Sequence, residues 1–301
     1  MVKESRATEQ SFDASRGIDT WGSVEILNAL VGGQERAIAA ARDAIPQIAL
    51  AADALAKRLA AGGRLAYAGA GTSIRIAVQD GSELPATFGM AEDKILYLIA
   101  GGKAAMFDTL ADAEDDVNVG QHDASQLLPT DTLIAVAASG RTSYTIAAAE
   151  TAKTNGVFVI SVVNNRGTPL GAVGDIEIVL DSGAEVIAGS TRMGAGTAQK
   201  AALNLLSTLT HIRLGAVHDG MMVNVQAGNL KLKHRAAEIV AKISGGNLDQ
   251  ATHALNETNA HVKPAVLLCS GAENFETAQL LLERTKGNLR LALAQLKQPQ
   301  I

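Results

Sequence analysis

The chain predicts an α/β fold: a doubly wound, mostly parallel five-stranded sheet in a three-layer sandwich, followed by a small C-terminal helical bundle. Five short apolar runs recur through its middle, each followed by a Gly/Ser/Thr loop and then an Ala-rich helical stretch. The runs are almost continuously hydrophobic rather than alternating, which marks strands buried on both faces of a parallel sheet. Beyond Ser244-Gly245-Gly246 only helical periodicity and short turns remain.

Taken in order, residues 1–20 are polar and contain Gly17, as in an extended arm. From Ser23, read as an N-cap, the residues Val24, Ile26, Leu27, Leu30 and Val31 form the apolar face of a first helix. Pro46 interrupts it, and a second helix from Gln47 to Leu59 ends at Gly62-Gly63, where a left-handed C-cap is wanted. The predicted strands are Arg64 to Ala68, Ile95 to Ala100, Thr132 to Ala137, Val157 to Val163 and Ile176 to Leu180. Helices are expected from Thr72 to a stop at Pro85, from Thr191 to about Leu214, and from about Met221 to Ile243. Residues 1–245 are therefore read as one catalytic α/β domain with its N-terminal arm and helices, and 246–301 as a small helical domain.

Composition narrows the function. Aromatic residues make up 3% of the 301, which leaves little stacking surface for single-stranded nucleic acid. A formal charge of −5 argues against broad attraction to phosphate backbones or anionic membranes, so a bound anion needs a local site. Cys269, the single cysteine, excludes an internal disulfide and a CxxC metal or redox motif. The N-terminus carries alternating charge, and no stretch reaches the ~18 apolar residues of a membrane span. A cytoplasmic protein, unanchored and without nucleic-acid partners, is expected.

In open parallel sheets ligands bind outside the carboxyl ends of the strands. Two loops there stand out: Gly69-Ala70-Gly71-Thr72-Ser73 after the first strand and Ser139-Gly140-Arg141-Thr142-Ser143 after the third. Both place glycines and hydroxyls at a helix N-terminus, where free N–H groups receive an anion. Either loop alone could be simple packing; two at one sheet edge point to phosphate. A dinucleotide fingerprint fails because Ile74 occupies the third glycine position, and no Gly-Lys-Ser/Thr of a P-loop occurs. His122, His211, His218, His234, His253 and His261 show no metal-ligand spacing. Among carboxylates, Glu83 sits beside Pro85 and Glu114 lies in the acidic run Asp112-Ala113-Glu114-Asp115-Asp116; the pattern does not choose between them.

These residues carry a resemblance. Arg64 to Ser73, Ser82-Glu83-Leu84-Pro85-Ala86-Thr87-Phe88-Gly89, Ile99-Ala100-Gly101-Gly102, Ala113-Glu114-Asp115-Asp116, Ala137-Ala138-Ser139-Gly140-Arg141-Thr142 and Gly189-Ser190-Thr191-Arg192-Met193 resemble the N-acetylmuramic acid 6-phosphate etherases, whose core is the sugar isomerase (SIS) fold. The likeness runs from Thr8-Glu9 to Gly287-Asn288-Leu289-Arg290-Leu291-Ala292-Leu293. It implies Glu114 as the base at C2 and Glu83 as the acid toward the departing lactate. It also implies hydroxyls of Ser73, Ser139 and Thr142 around the 6-phosphate, with Gly71, Thr72, Gly140, Arg141 and Ser190 completing the binding set. Neither a metal nor an organic cofactor is implied. The expected partners are a phosphorylated amino sugar and a second copy of the chain, with helices of one subunit near the other's pocket. Ile74, where glycine is usual, and Gly194, where lysine is usual, depart from the pattern and bear on sugar or lactyl contacts. The competing readings are a phosphosugar aldose–ketose isomerase, which shares C2 proton abstraction, and a non-catalytic sugar-phosphate sensor.

Overall fold

The structure is a computed structural model and describes residues 15–108, 110, 112–225 and 230–297. The expected arm at 1–20 lies mostly outside the described residues. Two compact units result: the described residues up to Gly81 together with Asp93–Leu209, and Ser82–Glu92 together with the described residues from Thr210 onward.

The first unit opens with α1 (Ser23–Asp43) and α2 (Ile45–Ala60). Gly22 rather than Ser23 is the N-cap of α1, and Pro46 falls in the first turn of α2, where its missing N–H costs nothing. There follow β1 (Leu65–Gly69), α3 (Gly71–Phe88), β2 (Ile95–Ile99), α4 (Val117–Ala124), β3 (Thr132–Ala137) and α5 (Ser143–Thr154). Next come β4 (Phe158–Val163), α6 (Pro169–Val173), β5 (Ile176–Val179) and α7 (Gly194–Arg213). All five strands are parallel in the order β2-β1-β3-β4-β5.

Both faces of the sheet are covered, as the nearly continuous apolar runs require. Ala66, Ala68, Leu133, Ala135, Val159 and Val163 bury one face in a single cluster with residues of α4, α5 and α6. The alternate residues, Leu65, Tyr67, Ile134, Val136, Ile160 and Val162, are equally inaccessible on the other face. There the Tyr67 hydroxyl donates to Asp80 of α3 at 2.7 Å, and Asn204 and Ser207 of α7 donate to the same buried carboxylate at 2.6 and 2.9 Å. One carboxylate thus ties β1, α3 and α7 together, and its three donors replace the water it loses.

Pro85 does not end α3; the helix passes through it to Phe88, and Gly89 N–H closes the last turn on the Pro85 carbonyl at 3.0 Å. A proline forfeits one helical bond, and the segment retains the rest.

In the second unit, Val217–His218 (β6) and Met221–Met222 (β7) form an antiparallel hairpin, which corrects the helix expected to start near Met221. The reason is the Asp219-Gly220 turn: φ is 47° and 75°, the left-handed pair that an Asp-Gly hairpin adopts. The helix itself, α8, runs Leu230–Ser244, and α9 (Leu248–Glu257), α10 (Val262–Cys269), α11 (Phe275–Arg284) and α12 (Leu289–Leu296) follow. Asn247, Asn274 and Asn288 each cap a following helix, accepting from the backbone N–H of Gln250, Thr277 and Leu291. A common core that includes Ala236, Val240, Ala251, Leu255, Val266, Ala278 and Ala292 joins α8 to the four later helices.

Candidate active site

The strand order sets the location. β1 leads to β2 on one side and β3 leads to β4 on the other, so the crevice between the carboxyl ends of β1 and β3 is the topological switch point. Both hydroxyl loops open there.

They line a cavity of about 410 Å³ within the first unit, where Gly71, Thr72 and Ser73 face Ser139, Arg141 and Thr142. Gly71 begins α3, and Thr142 is the N-cap of α5 without spending its hydroxyl on the helix. Two helix N-termini therefore converge on one space with the hydroxyls of Thr72, Ser73, Ser139 and Thr142 beside them, an arrangement suited to a phosphate.

The third helix near this edge, α7, is excluded from that role by its own sequence. Glu185, nearly inaccessible, accepts from the N–H groups of Gly194 and Ala195 at 2.9 Å each. A resident carboxylate already occupies that helix end. The same cap anchors the segment that brings Thr191 to the cavity.

The loop after β3 is held from below. Gly140 N–H donates to the Ala137 carbonyl, Leu170 N–H donates to the Gly140 carbonyl, and the Asn165 amide donates to the Ala138 carbonyl at 2.9 Å. Gly140 has φ +62°, and a Cβ there would stand 2.4 Å from the Thr168 side chain. Thr168 cannot yield easily: it is buried and its hydroxyl caps α6 by accepting from Gly171 N–H at 3.0 Å. The anion loop is thus preorganised before any ligand arrives.

Glu114 lies on a short 3-10 turn (Ala113–Asp115) and, with Asp115, lines the same cavity. Asp112 precedes it with φ 64°, a left-handed conformation that a non-glycine residue adopts at some cost. An ionisable carboxylate facing an anion cradle is the constellation that proton abstraction from a phosphorylated substrate asks for.

The sequence agrees with a known set of proteins along nearly its full length. N-acetylmuramic acid 6-phosphate etherase of Streptomyces avermitilis is 42% identical over 97% of this chain and 94% of its own. The etherase of Symbiobacterium thermophilum is 44% identical over 86% of this chain and 87% of its own, and etherase 1 of Vibrio cholerae is 42% identical over 96% and 97%. The chain belongs to the N-acetylmuramic acid 6-phosphate etherase family. A model of the glucokinase regulatory protein N-terminal SIS domain also matches residues 47–153, and the SIS domain model matches 110–209.

Of the residues that the resemblance to the etherases implied, the cavity gathers Gly71, Thr72, Ser73, Glu114, Ser139, Arg141 and Thr142. Gly140 is buried within the loop and does not line the cavity. Ser190 is half-buried and does not line it; its neighbour Thr191 does. Glu83 is exposed on α3 in the second unit and is not a wall residue. Ile74, the first departure from the etherase pattern, is wholly buried in the core and does not touch the cavity. Gly194, the second, is engaged through its backbone with Glu185. Asp115, Thr191 and the Glu185 cap escaped sequence reasoning. Asp115 is one of four acids in its run and nothing in the pattern distinguishes it, and Glu185 acts on a helix end nine residues away in sequence, where no local spacing marks it.

Proposed function

We propose that this chain cleaves the C3 D-lactyl ether of N-acetylmuramic acid 6-phosphate, giving N-acetylglucosamine 6-phosphate and D-lactate. The observation that carries the reading, beside family membership, is Glu114 on the wall of an anion cavity built from two open helix N-termini. The 6-phosphate sits against the N–H groups of α3 and α5 and the hydroxyls of Ser73, Ser139 and Thr142, with Thr72 and Arg141 at its edge and Ser190 near the sugar. Glu83 and Glu114 divide the chemistry. In the ring-opened sugar the C1 aldehyde acidifies the C2 proton, and Glu114 takes it. The electron pair left on C2 forms the C2–C3 double bond as the C3–O bond breaks, and Glu83 protonates the departing lactate oxygen. Water then adds to C3 of the unsaturated aldehyde, its oxygen bonding C3 and a proton returning to C2. Each step is a proton transfer, an elimination or an addition of water, chemistry within reach of the chain's own carboxyls.

Residues 1–245 carry this machinery in the proposal, and 246–301 are its small C-terminal domain, which we propose helps to join two copies. A homodimer in the cytoplasm fits the reading. Among the described residues no helix is long and apolar enough to cross a membrane.

The test is direct. Pure protein incubated with N-acetylmuramic acid 6-phosphate releases D-lactate, and the sugar product lacks the C3 substituent. A product that keeps the lactyl group but moves its carbonyl to C2 would mean an isomerase. Tight binding without turnover would mean a sensor.

A further inference from the structure

The largest of the cavities described is not the phosphate cavity. It measures about 680 Å³ and lies wholly within the second unit, bounded by Val223–Val225, the turn before α10, and one face of α11. Its wall combines apolar groups such as Phe275 and Leu282 with the amides of Asn224, Asn259 and Gln279. That volume and mixture match sites for small organic molecules, which are mostly apolar with a few placed polar groups.

What gives the cavity chemical character is Lys263, which lines it while only 8% exposed. A buried ammonium is costly unless its charge is answered. Here Nζ donates to the Gly287 carbonyl at 2.7 Å, and among the described residues no carboxylate pairs with it. Burial alone lowers its pKa to about 8, with no neighbouring acid to raise it again. The ammonium has three N–H donors, and the described hydrogen bonds use one of them. Glu283 also lines the cavity, but it is exposed at the rim, and His261 is exposed as well with its Nδ1 bonded to the Thr258 carbonyl. One buried cation suits the single charge of a carboxylate, whereas the phosphate cavity spends two helix ends and three hydroxyls on its anion.

We infer that this cavity is a second ligand site, which takes a small organic carboxylate bearing amide or hydroxyl groups, its carboxylate on Lys263 and its polar groups on Asn224, Asn259 and Gln279. The inference does not depend on the etherase chemistry, since it concerns binding in the other unit.

The experiment is calorimetric binding to the full chain with two probes. N-acetylmuramic acid has the carboxylate and no phosphate; N-acetylglucosamine has the same amide and hydroxyls without the carboxylate. The first binds, and the second binds roughly ten- to a hundredfold more weakly, the effect of one charge-assisted hydrogen bond. Lys263→Met weakens the first probe to a similar degree, Gln279→Leu weakens it roughly three- to tenfold, and Glu283→Gln tightens it. Ser139→Ala, on the phosphate cavity, leaves it unchanged. Should Lys263→Met fail to fold, Gln279→Leu against Ser139→Ala decides, because Gln279 is an exposed helix residue. Absence of binding, equal binding of the two probes, or indifference to Gln279→Leu overturns the inference.

Discussion

Gly140 and Gly71 both have positive φ in the two loops of the cavity proposed to hold phosphate, yet the space around them differs, and alanine at each separates two costs. At Gly71, φ is +54° and nothing stands within 4 Å of a Cβ. Alanine there bears only the left-handed backbone cost, about 1–2 kcal/mol. At Gly140 the same backbone cost applies, and the new methyl carbon would lie 2.4 Å from both Cβ and Oγ1 of Thr168. Relieving that overlap adds about 1–3 kcal/mol, as for other overpacked interiors. The entropy that alanine removes from the unfolded chain is alike at both sites and cancels in the comparison. Gly140→Ala is therefore less stable than Gly71→Ala by about 1–3 kcal/mol in urea denaturation followed by circular dichroism. Function follows from the same overlap. The clash is relieved by moving the loop that carries Ser139 and Thr142, so KM for the phosphosugar rises by roughly tenfold or more, the loss of one charge-assisted hydrogen bond, with a smaller change in kcat. Equal stability of the two variants would refute the claim that Thr168 is what demands glycine at 140. An unchanged KM in a destabilised Gly140→Ala would show that the loop does not hold the phosphate.

In heavy water, Glu114→Gln abolishes both deuterium exchange at C2 and lactate release while substrate still binds, whereas Glu83→Gln in a stepwise elimination retains exchange and loses lactate release by about 10²–10⁴; substantial release by Glu114→Gln moves the base to another carboxylate. Asp131→Ala lowers stability by about 3 kcal/mol in urea titration, because the buried Asp131 carboxylate accepts from Arg64 at 2.6 Å and from the backbone N–H of Arg64 and Leu128. Burial pushes the Asp131 carboxyl up, but Arg64 and the two backbone donors bring it below its ordinary value, so its stabilisation is complete above about pH 4 and is lost as pH falls through the folded value; a wild-type acid transition that Asp131→Ala does not alter contradicts this. Lys263 has the opposite slope: its pKa of about 8 in the folded chain lies below the ordinary value of 10.5, so between those values the unfolded chain holds more protons and stability rises with pH. The gain from pH 7.5 to pH 10, measured against Lys263→Met by urea denaturation, is on the order of 2 kcal/mol, and no difference in slope between the two proteins would mean that Lys263 is solvated.

What was legible in the sequence is what short-range pattern encodes. All five strands were visible as short, mostly apolar runs, because a strand covered on both faces has little polar side to show; Glu177 interrupts the run of β5, in which Ile178 alone is fully buried. The two loops that line the cavity were legible for a similar reason: glycine and hydroxyl residues between a strand and a helix state a local backbone and hydrogen-bonding need. The etherase motifs, carried by adjacent residues, were legible by resemblance. Where local signals competed, the reading failed. Pro85 is a helix-stop signal in sequence although the helix continues past it, and the helical pattern around the Asp219-Gly220 turn masks it, although that dipeptide is itself a hairpin signal.

Tertiary structure alone decided which distant residues meet. The sequence lists strands without their order, and only the order β2-β1-β3-β4-β5 turns two separate loops into opposite walls of one cavity. It also brings Glu114, one of several acids in an acidic run between the two loops, and Thr191, which follows both of them in the chain, to that wall. The buried tie of Asp80 to Tyr67, Asn204 and Ser207, the Glu185 cap on α7 and the requirement for glycine opposite Thr168 are likewise invisible in one dimension. Each is a contact between groups far apart in the chain, and its energy depends on distances of a few ångströms that no periodicity records; local sequence selects the elements, and the packing of side chains between them selects the site.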